Sequence, residues 1–174
     1  MSSIKIQFYK TPFGELILGS WQDQLCLCDW KYRKSRETVD TRIQNFLKAQ
    51  YEEGPSDIIQ EAITQLKEYF KKERNEFTIP LLFCGTEFQQ LVWNKLLEVP
   101  YGKTETYLGM AKRMENEKAI RAIASANGAN AISIIVPCHR IIGSNGELIG
   151  YAGGLTAKKH LLALESPSVQ TSLF

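Results

Sequence analysis

The chain carries little excess charge of either sign. Its 21 lysines and arginines stand against 19 aspartates and glutamates, a formal charge of +2. Split at Thr86, the balance is 12 basic to 12 acidic residues before it and 9 to 7 from there on. Net charge therefore does not mark a nucleic-acid binder, and such a role must rest on individually placed residues. Long apolar runs are also missing. None approaches the about 18 residues of a membrane span, and no basic-then-apolar leader opens the chain, so no membrane association is expected. Histidine is scarce, with only His139 and His160, and neither has zinc-site spacing. Cys26-x-Cys28 therefore reads as two thiols on one face of a strand, and neither a metal nor a cofactor is expected. Without a secretory signal, Cys26, Cys28, Cys84 and Cys138 read as reduced thiols. That points to the cytoplasm, and to the nucleus as well in a eukaryote. Repeats and low-complexity tracts are absent.

What is present suffices for one good core or two small ones: 174 residues, 44% of them hydrophobic. Residues 4–10 and 15–20 alternate apolar and polar around Thr11-Pro12-Phe13-Gly14, which has turn chemistry. Residues 25–30 make a third strand after a polar turn, giving an antiparallel meander. Residues 37–50 and 56–72 read as helices split by Glu52-Glu53-Gly54-Pro55, the second with Ser56 as its N-cap. Residues 77–83 are extended. Near Gly85 the pattern turns helical, which divides the chain into a scaffold domain at 1–85, a second domain at 86–165 and a tail at 166–174.

Thr86 and Gln89 form a capping box at the start of the second domain. Thr106 is expected to cap a short helix over 107–114, and Asn116 another over 117–127, closed by Gly128. Two short helices joined by a tight turn are a helix-turn-helix candidate, with Arg121 near the start of the second helix, where a recognition helix faces a groove. Asn145-Gly146 signals a hairpin turn. Thr156 is expected to cap a last helix ending at Glu165. Lys158 and Lys159 stand near its start, against the usual dipole preference, which suggests a purpose other than helix stability.

The organising stretch is Ile-Ser-Ile-Ile-Val-Pro-Cys-His-Arg, 132–140. Its branched apolar residues predict a buried strand, and Pro137 ends the ladder because it has no N–H to donate. Cys138 then stands beside His139, a candidate nucleophile with a candidate base. An isolated Pro-Cys-His triplet would more often be an inert core thiol, so the rest of the pattern decides.

Phe88-Gln89, Val92-Trp93, Pro100-Tyr101-Gly102, Thr106-Tyr107, Arg121-Ala122, Asn130, Pro137-Cys138-His139-Arg140, Gly150-Tyr151-x-Gly153-Gly154, Lys158 and Leu161-Leu162-x-x-Glu165 are each common. In this order and spacing they make the chain resemble the O6-alkylguanine-DNA alkyltransferases. That resemblance implies an α+β fold. Its N-terminal part would be a small ribonuclease-H-like antiparallel sheet with helices, and its C-terminal part a mainly helical, winged-helix-like DNA-binding domain. It also implies single-turnover repair, in which Cys138 takes an alkyl group irreversibly from O6-alkylguanine after the base has flipped, with O4-alkylthymine as a second lesion. His139 would be the base, linked to the thiol through a water, and Glu165 would orient it. Asn130 would fix the turn at the active-site strand. Tyr107 would press on the phosphate and protonate the guanine, and Arg121 would fill the vacated stack. Ala122 and Lys158 would join the DNA contacts, while Tyr151, Ala152 and Gly153 would line the base pocket. The implied partner is double-stranded DNA containing alkylated guanine, bound by a monomer. Three positions depart from the family pattern. Ala131 stands where proline is common, Lys103 where glutamate is frequent, and Ala152 where some members have serine. Two rival functions are a module that binds lesions without repairing them and a sequence-specific regulator.

Overall fold

The computed structural model of the chain describes residues 2–166. Beyond Ser166 the expected tail lies outside the described residues. The chain forms two compact units, the first ending at Gly85 and the second beginning at Thr86.

The first unit is built on a sheet. Strands β1 (Ile4–Thr11) and β2 (Gly14–Trp21) pair antiparallel, Lys5 opposite Ser20 through Thr11 opposite Gly14. Their turn is closed by Thr11, whose Oγ1 accepts from Phe13 N (3.0 Å) and donates to the Gly14 carbonyl (2.7 Å). Gln22 and Asp23, both at positive φ, then make the two-residue loop into β3 (Gln24–Trp30), antiparallel to β2. The helix α1 (Arg36–Leu47) ends at Lys48 in the left-handed conformation. It leads into a short strand that the sequence reading did not foresee, β4 (Tyr51–Glu53), which pairs parallel to β1. The sheet order is β3-β2-β1-β4, so the sheet is mixed at one edge. The helix α2 (Asp57–Phe70) has Ser56 as its N-cap, Oγ accepting from Ile59 N, and buries Ile59, Ala62, Leu66 and Tyr69. Gln65 is buried with them and exchanges two hydrogen bonds with Thr78, fastening the extended segment that follows. That segment runs along β3, with Leu25 N bonding the Pro80 carbonyl and Leu82 N the Leu25 carbonyl. Cys26 and Cys28 are buried in β3 along with Leu25 and Leu27, so both faces of this strand are core.

The second unit is mainly helical: α3 (Glu87–Leu96), α4 (Tyr107–Arg113), α5 (Ile120–Gly128) and α6 (Leu155–Glu165). The capping box forms at α3, with Gln89 N bonding Thr86 Oγ1 and Thr86 N bonding Gln89 Oε1. Trp93 of α3 buries its indole and donates Nε1 to the Ala126 carbonyl of α5 at 2.8 Å, locking these helices together. Thr106 caps α4 through Gly109 N. Two expected caps do not form. Asn116 makes no side-chain cap bond, because a 3-10 turn at Glu117–Ala119 precedes α5. Gly154 rather than Thr156 occupies the N-cap of α6. Two-residue strands β5 (Glu105–Thr106) and β6 (Ile141–Ile142) pair parallel. Asn145-Gly146 does sit in a tight turn, closed by Gly143 N to the Glu147 carbonyl, but no second strand follows it. Among the described residues no helix is long and apolar enough to cross a membrane.

Candidate active site

The expected strand at 132–136 is not one. The segment is a buried, tightly looped turn in which Val136 N bonds the Ile132 carbonyl at 2.9 Å. Asn130 is the physical reason. Its side-chain amide does what a partner strand would do: Nδ2 donates to the carbonyls of Val136 (3.0 Å) and Ile132 (3.4 Å), and Oδ1 accepts from Ile132 N (3.0 Å). With those groups satisfied internally, the apolar run can be buried without a ladder. The loop forces Ile134 to φ +72°, a conformation in which a β-branched residue is strained by about 1–3 kcal/mol. Such strain persists only where the surroundings over-determine it, and here it delivers the chain into Pro137 and a 3-10 turn at Cys138–Arg140.

That turn, with the last residue of α6, builds the site. Cys138, His139 and Glu165 are all buried. His139 Nε2 lies 2.7 Å from Glu165 Oε2. Arg140 holds the same carboxylate with Nε on Oε1 at 2.8 Å and Nη2 on Oε2 at 3.0 Å, and its Nη1 donates to the Val99 carbonyl at 2.7 Å. Tyr101 stacks against the Arg140 guanidinium, 5.8 Å from ring centroid to Cζ. Burial alone would raise the Glu165 pKa, but the hydrogen bonds and positive charge of His139 and Arg140 outweigh it and bring it down to about 2. An ionised carboxylate only accepts, so Nε2 carries the imidazole proton and Nδ1 the lone pair. Nδ1 is buried and has no hydrogen-bond partner. Burial is also the leading cause that pushes the His139 pKa down, Glu165 opposing it. The result is a neutral imidazole with a buried, available acceptor next in sequence to a thiol.

Around this core, Tyr107 opens α4 and is half-buried. Burial, and after it the charge of an ionised Cys138, raise its pKa. Tyr151 stands edge-on to His139, ring centroids 6.4 Å apart, with Ala152 half-buried and Gly153 buried beside it in sequence. Arg121 and Ala122 are exposed on the first turn of α5, and the Arg121 face continues through the exposed Ser125 and Gly128, where nothing bulky would keep a surface away. Lys158 requires a correction. It is not a DNA-facing cation but is 0% exposed, its ammonium donating to the carbonyls of Ile141 (2.5 Å), Ile149 (3.1 Å) and Gly150 (3.3 Å). Burial lowers its pKa, opposed by the nearby Cys138. Its oddity at the start of α6 thus reflects an internal tie between that helix and the segment leading to Tyr151. Two participants were not foreseen. Arg140 lies inside the recognised motif, which carried the signal, but Asn127, which meets Tyr107, has no sequence signal of its own.

Comparison with known proteins bears on what this arrangement does. Residues 4–83 match "6-O-methylguanine DNA methyltransferase, ribonuclease-like domain" and residues 87–167 match the DNA binding domain of the same family. A methylated-DNA--protein-cysteine methyltransferase of Mycobacterium leprae is 46% identical over 166 residues, 94% of this chain and 93% of that protein. One from Methanosarcina acetivorans is 42% identical over 158 residues, 90% and 95% of the two chains. The crystal structure of Mycobacterium tuberculosis OGT in complex with DNA superposes with a TM-score of 0.80 at 36% identity, covering 98% of this chain and 99% of that one.

Proposed function

The chain belongs to the 6-O-methylguanine DNA methyltransferase family, and from that premise we propose that Cys138 is the acceptor, activated by His139 and Glu165. The protein binds DNA and repairs it by moving an alkyl group from O6-alkylguanine to its own cysteine. The observation that carries the assignment to Cys138 is the 2.7 Å Glu165–His139 bond, which leaves the imidazole's lone pair on a buried atom of the residue that follows that thiol in sequence.

In the proposed reaction His139 Nδ1 receives the thiol proton, through a bridging water because neighbouring side chains diverge. The imidazolium that results is stabilised by Glu165, which Arg140 keeps ionised. The thiolate attacks the alkyl carbon, a C–S bond forms as the C–O6 bond breaks, and the electron pair goes to the guanine oxygen. The Tyr107 phenol gives the base a proton. The thioether has no leaving path, so each molecule acts once. A buried thiol cannot reach a stacked base, so the base flips out at a cost of a few kcal/mol. Arg121, on an α5 face that is otherwise small, fills the gap, with Ala122 against the backbone. Tyr151, Ala152 and Gly153 form the wall of the base pocket, and Asn130 keeps the loop before Cys138 in its turn. None of the four cysteines is in a disulfide, a state suited to the reducing cytoplasm, and to the nucleus in a eukaryote.

The test is intact-mass and peptide analysis after incubation with a duplex carrying O6-methylguanine. One methyl on the peptide containing Cys138 is the expected result, and a methyl on Cys26, Cys28 or Cys84 would overturn the assignment. For Arg121, replacement by alanine should slow repair in duplex DNA far more than transfer from free O6-methylguanine. An unchanged ratio of the two rates would leave Arg121 as an ordinary surface charge.

A further inference from the structure

We propose that Asn127 is a positioning residue for proton donation by Tyr107, holding the phenol oxygen with an amide N–H so that the phenol's own proton stays free for the base. This rests on the reading above, in which Tyr107 supplies that proton. Asn127 lies in the last turn of α5 and is 6% exposed. Its Nδ2 donates to Tyr107 Oη at 3.4 Å, while its Oδ1 is buried without a partner. A phenol has one proton and can also accept. Here Oη accepts from Asn127, so Asn127 does not consume the phenol's proton. Were the carbonyl oxygen turned to the phenol instead, it would take that proton and leave an N–H unpaired.

The arrangement also serves the state after donation. The phenolate that remains is disfavoured by burial, and the Asn127 N–H is the group that opposes it. A buried carbonyl without a partner is destabilising. Asn127 thus serves the phenol with one polar atom while its other is buried without a partner, as expected of a residue retained for the reaction.

The experiment is a double-mutant cycle on the full chain. Single-turnover transfer from an O6-methylguanine duplex is measured at saturating protein, so that the rate reports transfer rather than binding. Asn127→Leu keeps the shape and removes both polar atoms. It should slow transfer about tenfold, the value of one hydrogen bond of about 1.4 kcal/mol, and leave the melting temperature unchanged or higher. In the Tyr107→Phe background the same change should slow transfer less than twofold. Asn127→Asp, which offers the phenol only an acceptor, should be slower than Asn127→Leu. Equal slowing by Asn127→Leu in both backgrounds, with a lowered melting temperature, would make Asn127 a structural residue and overturn the proposal, as would an Asn127→Asp rate at or above wild type. If Tyr107→Phe itself transfers at the wild-type rate, the role of Tyr107 fails, and this inference with it. If wild type leaves Cys138 unmethylated, the assignment of the acceptor fails first.

Discussion

Each unit of the chain buries one carboxylate against two basic side chains, yet only one of the two clusters can do chemistry. In the first unit Asp29 Oδ2 accepts from Arg33 Nη1 (2.9 Å) and Arg36 Nη1 (3.0 Å). Arg36 continues to Asp40, which also accepts from the Tyr51 hydroxyl at 2.8 Å. The cations are guanidinium groups, charged at every ordinary pH. In the second unit Glu165 takes Arg140 in the same way, but its other partner is His139, whose far nitrogen is uncommitted. The first network has nothing left to exchange. The second keeps one lone pair and one titrating proton. The cysteines divide along the same line. Burial raises the thiols of Cys26 and Cys28 far above their usual range and that of Cys84 to about 11, which leaves them inert, whereas Cys138, the proposed acceptor, is followed in sequence by His139. Buried charge alone does not mark a functional site. An unspent acid–base capacity next to a nucleophile does.

The largest test of this contrast is on the thiols. Cys138→Ala should abolish transfer while DNA binding survives, and Cys28→Ala should leave the transfer rate unchanged, both followed by intact mass. Next come the carboxylates. Asp29→Asn takes from the buried Arg33 its carboxylate, while Arg36 keeps Asp40, and should cost about 3–5 kcal/mol of stability in denaturant titrations, without slowing transfer per folded molecule. Glu165→Gln should destabilise as well, but it should also slow transfer about 100-fold or more, because His139 loses the group that orients it and stabilises its charge. Equal effects of the two changes on rate would erase the distinction.

The parts of this contrast legible in the sequence are those whose chemistry is local. The strands at 4–10 and 15–20 and the Thr86–Gln89 box each need only a few neighbouring residues, and each stands in the structure as read, although β2 is buried from Leu16 to Ser20 and does not alternate. Long-range satisfaction was illegible. The apolar run at 132–136 has strand composition, and only the Asn130 amide, reaching back onto the Val136 carbonyl, makes it a turn. Lys158 looks like a surface cation because the carbonyls that absorb it lie 8 to 17 residues away in sequence. Tyr51–Glu53 is too short for any period to register, and its pairing partner is β1, at the start of the chain.

A third test uses pH, since both histidines lie in the second unit. Burial depresses the folded pKa of His139, so folding favours its neutral form. That contribution is fully present above the unfolded value of about 6.5 and is lost as pH falls below it. Glu165, at about 2 when folded, adds stability that is present above about pH 4.3 and lost as pH falls toward 2. Denaturant midpoints should therefore fall in two stages on acidification, and His139→Asn should remove the first. Transfer should hold at pH 6.5 and fall only below it, because protonated His139 cannot accept from the thiol. A first stage unchanged by His139→Asn would assign it to another group.

The smallest effect compares two helix caps, and again it turns on what is left unpaired. Ser56 caps α2 through Ile59 N at 3.2 Å and also shares a 2.7 Å bond with the hydroxyl of Ser20, which is buried. Thr86 caps α3 from an exposed position, where water can replace it. Losing an N-cap costs about 0.5–2 kcal/mol. Thr86→Ala should fall near the lower end, because Gln89 and solvent still serve the freed N–H groups. Ser56→Ala should fall near the upper end, because it also strips a buried hydroxyl of its partner. The discriminating variant is Ser20→Ala combined with Ser56→Ala. Removing both hydroxyls leaves no buried hydroxyl without its partner, so the pair should cost less in urea titrations than the sum of the single changes. Additive losses would mean that the serines act independently and that the cap alone sets the cost.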